Sequence, residues 1–70
     1  LLIDAEESGR ILAALQSLPT NQRLAVVLKK FEGLSYDDIS RILGCSVAAV
    51  ESLLVRAKKT LLEKLLVHDS

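Results

Sequence analysis

Residues 35–60 decide the fold, and they read SYDDISRILGCSVAAVESLLVRAKKT. Ser35 stands three residues before the acidic Asp38, which is the spacing of a helix-capping box. Apolar residues then recur at helical intervals until Gly44, a residue typical of the left-handed position just past a helix end. Ser46 begins a second, longer apolar pattern. The stretch therefore predicts a short helix, a turn and a longer helix, which together make a helix-turn-helix.

Two further helical segments precede this motif. Pro19 separates them, because the residue before a proline avoids helical backbone angles, and Thr20 is the expected N-cap of the second. Asp4 is the expected N-cap of the first. The four predicted helices span about 4–18, 20–32, 36–43 and 47–66. The pattern thus predicts an all-α, four-helix domain with a C-terminal helix-turn-helix and a long last helix.

One apolar stripe on each helix is expected to form the core. The stripes are Ile11, Leu12, Leu15 and Leu18; Leu24, Val27, Leu28 and Phe31; Ile39, Ile42 and Leu43; and Val47, Val50, Leu54, Ala57, Leu61 and Leu65. The fourth helix spans roughly 30 Å, which the short third helix cannot cover. We therefore expect the fourth helix to pack against the earlier helices as well.

The composition limits the class of protein. Half of the 70 residues are apolar and nine basic residues balance nine acidic ones, which argues against intrinsic disorder and favours a single domain over residues 1–70. The apolar runs are too short for membrane insertion. The single cysteine cannot form an internal disulfide, so a reducing, cytoplasmic location is expected. The start at Leu1 suggests a fragment of a longer chain.

The outer face of the fourth helix carries the residues expected to contact DNA. Placing residues about 100° apart from the core stripe puts seven of them outward. They are Ala48, Ala49, Glu51, Ser52, Val55, Arg56 and Lys59. The alanines permit close approach, Glu51 can accept from a cytosine amino group, Ser52 can bond base or phosphate, and Val55 can touch a thymine methyl. Arg56 and Lys59 suit phosphates. The fourth helix is therefore the candidate recognition helix, which would enter the major groove.

Residues at the starts of the two motif helices complete the candidate set of DNA-binding residues: Ser35, Tyr36 and Ser46. Tyr36 can contact a phosphate or pack against the protein. The same pattern also fits a helical interaction module that keeps the fold and no longer binds DNA. Zero net charge favours that alternative, as does Glu51, because a carboxylate repels phosphates.

The sequence contains no pattern that predicts catalysis. Ser, His and Asp residues do not stand at the spacing of a triad, and a Gly-rich phosphate loop is missing. Asp37 and Asp38 suit the dipole at a helix N-terminus. We therefore expect a protein that is not an enzyme, with no cofactor, no metal site and no small-molecule substrate.

A longer string of residues carries a family resemblance. It comprises LP at 18–19, QR at 22–23, EGLSYDDI at 32–39, ILGCSV at 42–47, AVESLL at 49–54 and RAKK at 56–59. Residues 17–62 thereby resemble region 4 of a bacterial RNA polymerase sigma factor of the extracytoplasmic-function group. The resemblance implies a domain that recognises the minus-35 promoter element in transcription initiation. It also implies docking on the flap of the polymerase beta subunit, near Leu15, Leu24 and Val27, and allows capture by an anti-sigma factor.

The chain departs from the family pattern on the recognition helix. Many members carry a basic residue where Glu51 stands and Arg where Leu53 stands, so we expect a different promoter sequence. A LuxR-like output domain is a second DNA-binding alternative, because it shares the four-helix layout and a Gly-Leu-Ser stretch. Its recognition helix usually continues Val-Lys-x-His, where this chain has Val50-Glu51-Ser52-Leu53.

Overall fold

The computed structural model describes residues 5–67, with side chains described from residue 9 to residue 66. This part of the chain contains helices and turns and no strand. The elements are α1 (Ala5–Gln16), α2 (Thr20–Val26), which continues directly into a π-helical segment (Val27–Phe31), α3 (Tyr36–Leu43) and α4 (Val47–Val67). The predicted all-α, four-helix class is confirmed, and the predicted bounds of α3 and α4 agree to within one residue.

Side-chain caps start both helices of the helix-turn-helix. The Ser35 hydroxyl accepts a hydrogen bond from the Asp38 backbone N–H at 3.1 Å. The Ser46 hydroxyl accepts one from the Ala49 backbone N–H, also at 3.1 Å. Each cap satisfies a backbone donor that has no partner inside its helix. Both predicted N-caps are confirmed.

A glycine ends α3 and makes the turn. Gly44 has a φ of 69°, in the left-handed region that side chains with a Cβ disfavour. The backbone N–H of Cys45 then donates to the Ser40 carbonyl at 3.0 Å. This six-to-one hydrogen bond is the Schellman pattern, which satisfies a carbonyl at the helix end. The turn that orients α4 relative to α3 is thus fixed by local backbone chemistry.

The start of α2 differs from the prediction. Thr20 is the first helical residue rather than the N-cap, and Pro19 holds the N-cap position without a side-chain cap bond. The Pro19 carbonyl accepts the first hydrogen bond, from the Arg23 N–H at 3.0 Å. Proline suits this role because its fixed φ already directs the chain into the helix and its missing N–H needs no partner there. The predicted Asp4 cap of the first helix lies outside the described residues.

The second helix ends in a widened turn. The Glu32 N–H donates to the Val27 carbonyl at 3.1 Å, and the Leu34 N–H reaches back to the Leu28 carbonyl at 3.0 Å. The first of these bonds spans five residues, which is the spacing of a π-helix, and the second spans six. Each residue of a π-helix advances by less than the α-helical angle. Gly33, with a φ of 69°, then redirects the chain toward α3.

The core lies along α4. The buried side chains are Ala14, Leu15, Leu18, Ala25, Val26, Ile39, Val50 and Ala57. α4 packs against α1, α2 and α3, as the length of its apolar stripe predicts. Two small residues, Ala25 and Ala57, are fully buried in this core.

Four predicted core residues are exposed instead. Phe31 is 66% exposed, Leu24 is 40% exposed, and Leu12 and Ile42 are also on the surface. The predicted stripe on the second helix is wrong because this helix instead buries Ala25 and Val26, and Val26 belongs to the core cluster that contains Ala57 of α4. Phe31 lies on the opposite side of the helix from these two residues. In α3, Ile39 alone is fully buried, and its neighbour Ile42 faces solvent.

Candidate nucleic-acid interface

The outer face of α4 presents most of the predicted DNA-contacting side chains to solvent. The exposed ones are Ala48, Glu51, Ser52, Val55, Arg56 and Lys59, and Ala49 is half-buried. Val50 and Ala57, on the opposite side of the helix, are fully buried. The first three turns of α4 therefore combine a fixed inner face with an open outer face. Such a helix can enter a major groove without unpacking the domain.

The two capping serines retain hydrogen-bonding capacity at this surface. The hydroxyls of Ser35 and Ser46 each accept a backbone N–H bond, and each is exposed. A hydroxyl that accepts one bond still has its own proton to donate. Both serines can therefore cap a helix and donate to a phosphate oxygen at the same time.

Tyr36 lies at the first turn of α3 in contact with the preceding helical segment. Lys29 places its Nζ 4.6 Å from the centroid of the Tyr36 ring, within the range of a cation–π interaction. The same ammonium donates to the Leu34 carbonyl at 3.4 Å. Tyr36 remains 38% exposed. The ring thus packs on a lysine and still presents part of its surface to solvent.

A groove of about 670 Å³ runs between the second helix and α4, beside the outer face. Its apolar lining includes Val26, Leu54, Val55, Leu61 and Leu62, and its polar lining is Lys29, Lys30, Tyr36, Glu51 and Lys58. Glu51 therefore shares its surroundings with three lysines. Their positive charge opposes the repulsion that a lone carboxylate would exert on a phosphate backbone.

The cations of the helix-turn-helix differ in their pairing. Arg41 lies 3.6 Å from Asp38 in an exposed ion pair, which contributes little to stability. Among residues 9–66, no ion pair involves Arg56 or Lys59. These two cations are therefore available to an external anion.

The residues predicted for partner binding separate in the structure. Leu15 is only 8% exposed and belongs to the core cluster, so its side chain is not available to a partner. Leu24 is 40% exposed and Val27 is half-buried. Of the three predicted residues, only the two on the second helix therefore leave side-chain surface open to solvent.

The described part of the chain contains neither a cluster of metal-binding side chains nor a membrane-spanning helix. No group of three or more His, Cys, Asp or Glu side chains is placed to hold a metal ion there. None of the helices described is both long and apolar enough to cross a membrane.

The structure brings together three lysines that are not among the predicted DNA-contacting residues. Lys29, Lys30 and Lys58 come from two different helices and meet at one groove. A basic pair at 29–30 is visible in the sequence, but its position beside α4 depends on how α2 packs on α4. The contact of Lys29 with Tyr36 likewise crosses a turn, so helical periodicity does not predict it.

Comparisons with known proteins point to one family. Residues 8–61 match the family model described as sigma-70, region 4. The ECF RNA polymerase sigma-E factor of Escherichia coli (strain K12) is 33% identical over 61 residues, which is 87% of this chain and 32% of that protein. The RNA polymerase sigma-H factor of Pseudomonas aeruginosa is 43% identical over 47 residues, which is 67% of this chain and 24% of that protein. The matches thus span a third or less of the length of these relatives.

Proposed function

This chain belongs to the sigma-70 region 4 family, and from that membership we propose that it recognises the minus-35 promoter element as the DNA-binding domain of a sigma factor. The observation that carries the proposal is the helix-turn-helix, in which capped α4 exposes Glu51, Ser52 and Val55 on its first turns. The LuxR-like alternative lacks this support, because the family match is to another group.

Base recognition is assigned to the first turns of α4. Glu51 accepts a hydrogen bond from a cytosine amino group, Ser52 bonds a base edge or a phosphate, and Val55 touches a thymine methyl. The three lysines that share the groove with Glu51 make its charge compatible with the nearby backbone. A carboxylate at this position favours a promoter sequence different from that of relatives with a basic residue there.

Phosphate contacts position the domain on the duplex. Arg56 and Lys59 are exposed and unpaired among residues 9–66, and the helix-start residues Ser35, Tyr36 and Ser46 add neutral donors. About two to four cationic contacts correspond to a salt slope of roughly −2 to −4. The isolated domain is therefore expected to bind DNA weakly, with a dissociation constant on the order of micromolar or higher. Tethering to RNA polymerase would raise its effective concentration at the promoter and so its occupancy there.

The proposed partners beyond promoter DNA are the core RNA polymerase, through the flap of its beta subunit, and an anti-sigma factor. For the flap, the supporting feature is the apolar side of the second helix, where Leu24 is exposed and Val27 is half-buried. Titrating a flap-tip peptide into the isotopically labelled chain should shift the amide resonances of residues 24–27. Shifts confined to the groove beside α4 would reassign the docking surface, and no shifts would remove the flap from the proposal.

The proposed role is binding and not catalysis, and it places the protein in the cytoplasm, where promoter DNA and polymerase are found. The deciding experiment is selection of duplexes from a randomised pool with the purified chain at low salt. We expect an enriched sequence motif. A variant with Ser52→Ala and Val55→Ala serves as the control, because it removes base contacts and leaves the buried face of α4 intact. Enrichment of no motif by the wild-type chain would refute the proposal.

A second candidate function is favoured by the exposed apolar residues of α4. Val55, Leu62 and Leu66 are all on the surface, and the first two line the groove. An interaction module that has lost DNA binding would use this surface for a protein partner. The selection experiment separates the two functions, since this module would enrich no duplex.

A further inference from the structure

The groove beside the recognition helix holds a lysine whose charge is directed inward. Lys29 is half-buried, its Nζ lies 4.6 Å from the Tyr36 ring centroid, and the same atom donates to the Leu34 carbonyl at 3.4 Å. We propose that Lys29 is a positioning residue for DNA binding, which fixes Tyr36 at the interface and does not itself contact a phosphate. This inference rests on the proposed function.

The fold explains why Tyr36 needs such a contact. Tyr36 is the first residue of α3 and follows a short connection that contains Gly33, where the backbone turns with a positive φ. Lys29 spans this connection, because one ammonium touches both the Leu34 carbonyl before the helix and the ring at its first turn. The contact therefore joins the second helix to the start of the helix-turn-helix.

The neighbouring lysine differs in its environment. Lys30 is exposed, whereas Lys29 is half-buried. Lys29 already has a carbonyl acceptor and a π-face for its ammonium, and both would be lost if it turned outward to a phosphate. Lys30 has no such contacts among residues 9–66. The two residues thus form a matched pair of the same chemistry, one directed inward and one open to solvent.

The test is a titration of the whole chain against its best selected duplex at several salt concentrations. Lys29→Met keeps the apolar stem and removes the charge. It should weaken binding about threefold to tenfold and leave the slope of log affinity against log salt unchanged. Lys29→Arg should restore the affinity, because a guanidinium also stacks on an aromatic ring. Any Lys30→Met effect should appear in the salt slope, which changes by about one for each lost phosphate contact.

A double-mutant cycle links the effect to the ring. In a Tyr36→Leu background, Lys29→Met should cause no further loss of affinity. Tyr36 is the sole tyrosine and the chain has no tryptophan, so its intrinsic fluorescence reports this ring alone and should change with Lys29→Met. Thermal melting of each variant separates loss of binding from loss of folding.

Four results would overturn the inference. They are an unchanged affinity in Lys29→Met, a salt slope reduced by about one in that variant, an equal loss in the Tyr36→Leu background, and no recovery with Lys29→Arg. Failure of the proposed function gives a different result, namely no duplex binding by the wild-type chain. That result would also remove the role of Lys29 in DNA binding, while the fluorescence change would still report the Lys29–Tyr36 contact.

Discussion

Replacing Ile39 by alanine tests the packing of α3 against α4. Ile39 is 0% exposed, whereas Ile42, one turn further along the same helix, is 59% exposed. The substitutions Ile39→Ala and Ile42→Ala therefore remove the same three carbons from one buried and one open position. This pair is informative because the sequence pattern alone places both isoleucines in the core.

The expected loss of stability is much larger for Ile39→Ala than for Ile42→Ala. Truncating a buried isoleucine to alanine costs about 2–5 kcal/mol in the free energy of unfolding. The total free energy of unfolding for a chain of this length is roughly 4–10 kcal/mol, so Ile39→Ala removes a large share of the stability. At about 4–8 °C for each kcal/mol, the melting temperature should fall by at least about 8 °C. Ile42→Ala should change the free energy of unfolding by about 0.5 kcal/mol or less.

Urea unfolding followed by circular dichroism measures both variants under the same conditions. The slope of the free energy of unfolding against urea concentration should be the same for both variants, because both should expose the same amount of surface on unfolding. Equal destabilisation by the two substitutions would refute the reasoning, because it would mean that α3 is rotated relative to the orientation described here. Ile42→Ala as the more damaging change would refute it more strongly.

Three further predictions concern the turn, base recognition and salt dependence. Gly44→Ala should lower the melting temperature, because φ is 69° there. Gly9→Ala, at a helical position with open space where the new methyl group would lie, should stabilise the domain by up to about 1 kcal/mol and so raise its melting temperature; equal shifts would contradict the turn geometry. Glu51→Lys should change the preferred base at one position of the selected duplex by about 1–3 kcal/mol, and identical motifs from both proteins would show that Glu51 contacts no base. Replacing Arg56 and Lys59 together by glutamine should reduce the salt slope by about two, and an unchanged slope would place the phosphate contacts elsewhere.

The parts of the fold that the sequence predicts well are those determined within a few residues. Ser35 and Ser46 each cap a helix through a donor three residues away, and Gly44 supplies the backbone angle of the turn by itself. These interactions do not depend on the rest of the molecule. A reader of the sequence can therefore place α3 and α4 to within a residue.

The orientation of the second helix is predicted less well, for two physical reasons. One of its two buried residues is Ala25, to which a hydrophobic pattern gives little weight, so the pattern assigns the larger apolar residues Leu24 and Phe31 to the core instead. Its last turn is π-helical, and periodicity at α-helical spacing does not indicate such a turn. The groove lysines follow from this packing, which explains why the surroundings of Glu51 and the contact of Lys29 with Tyr36 were not predicted.

The arrangement of all three preceding helices around α4 has a consequence for how the domain is made. The ribosome synthesises the chain from the N-terminus to the C-terminus, so α4 is made last of the four helices. The helices α1, α2 and α3 each depend on α4 for their main tertiary contacts. The nascent segment before residue 47 therefore lacks the partner that would hold its helices together. The core closes when α4 emerges, and α4 is also the helix proposed to recognise DNA. Closure of the core and presentation of the outer face of α4 should consequently arise in a single step of synthesis.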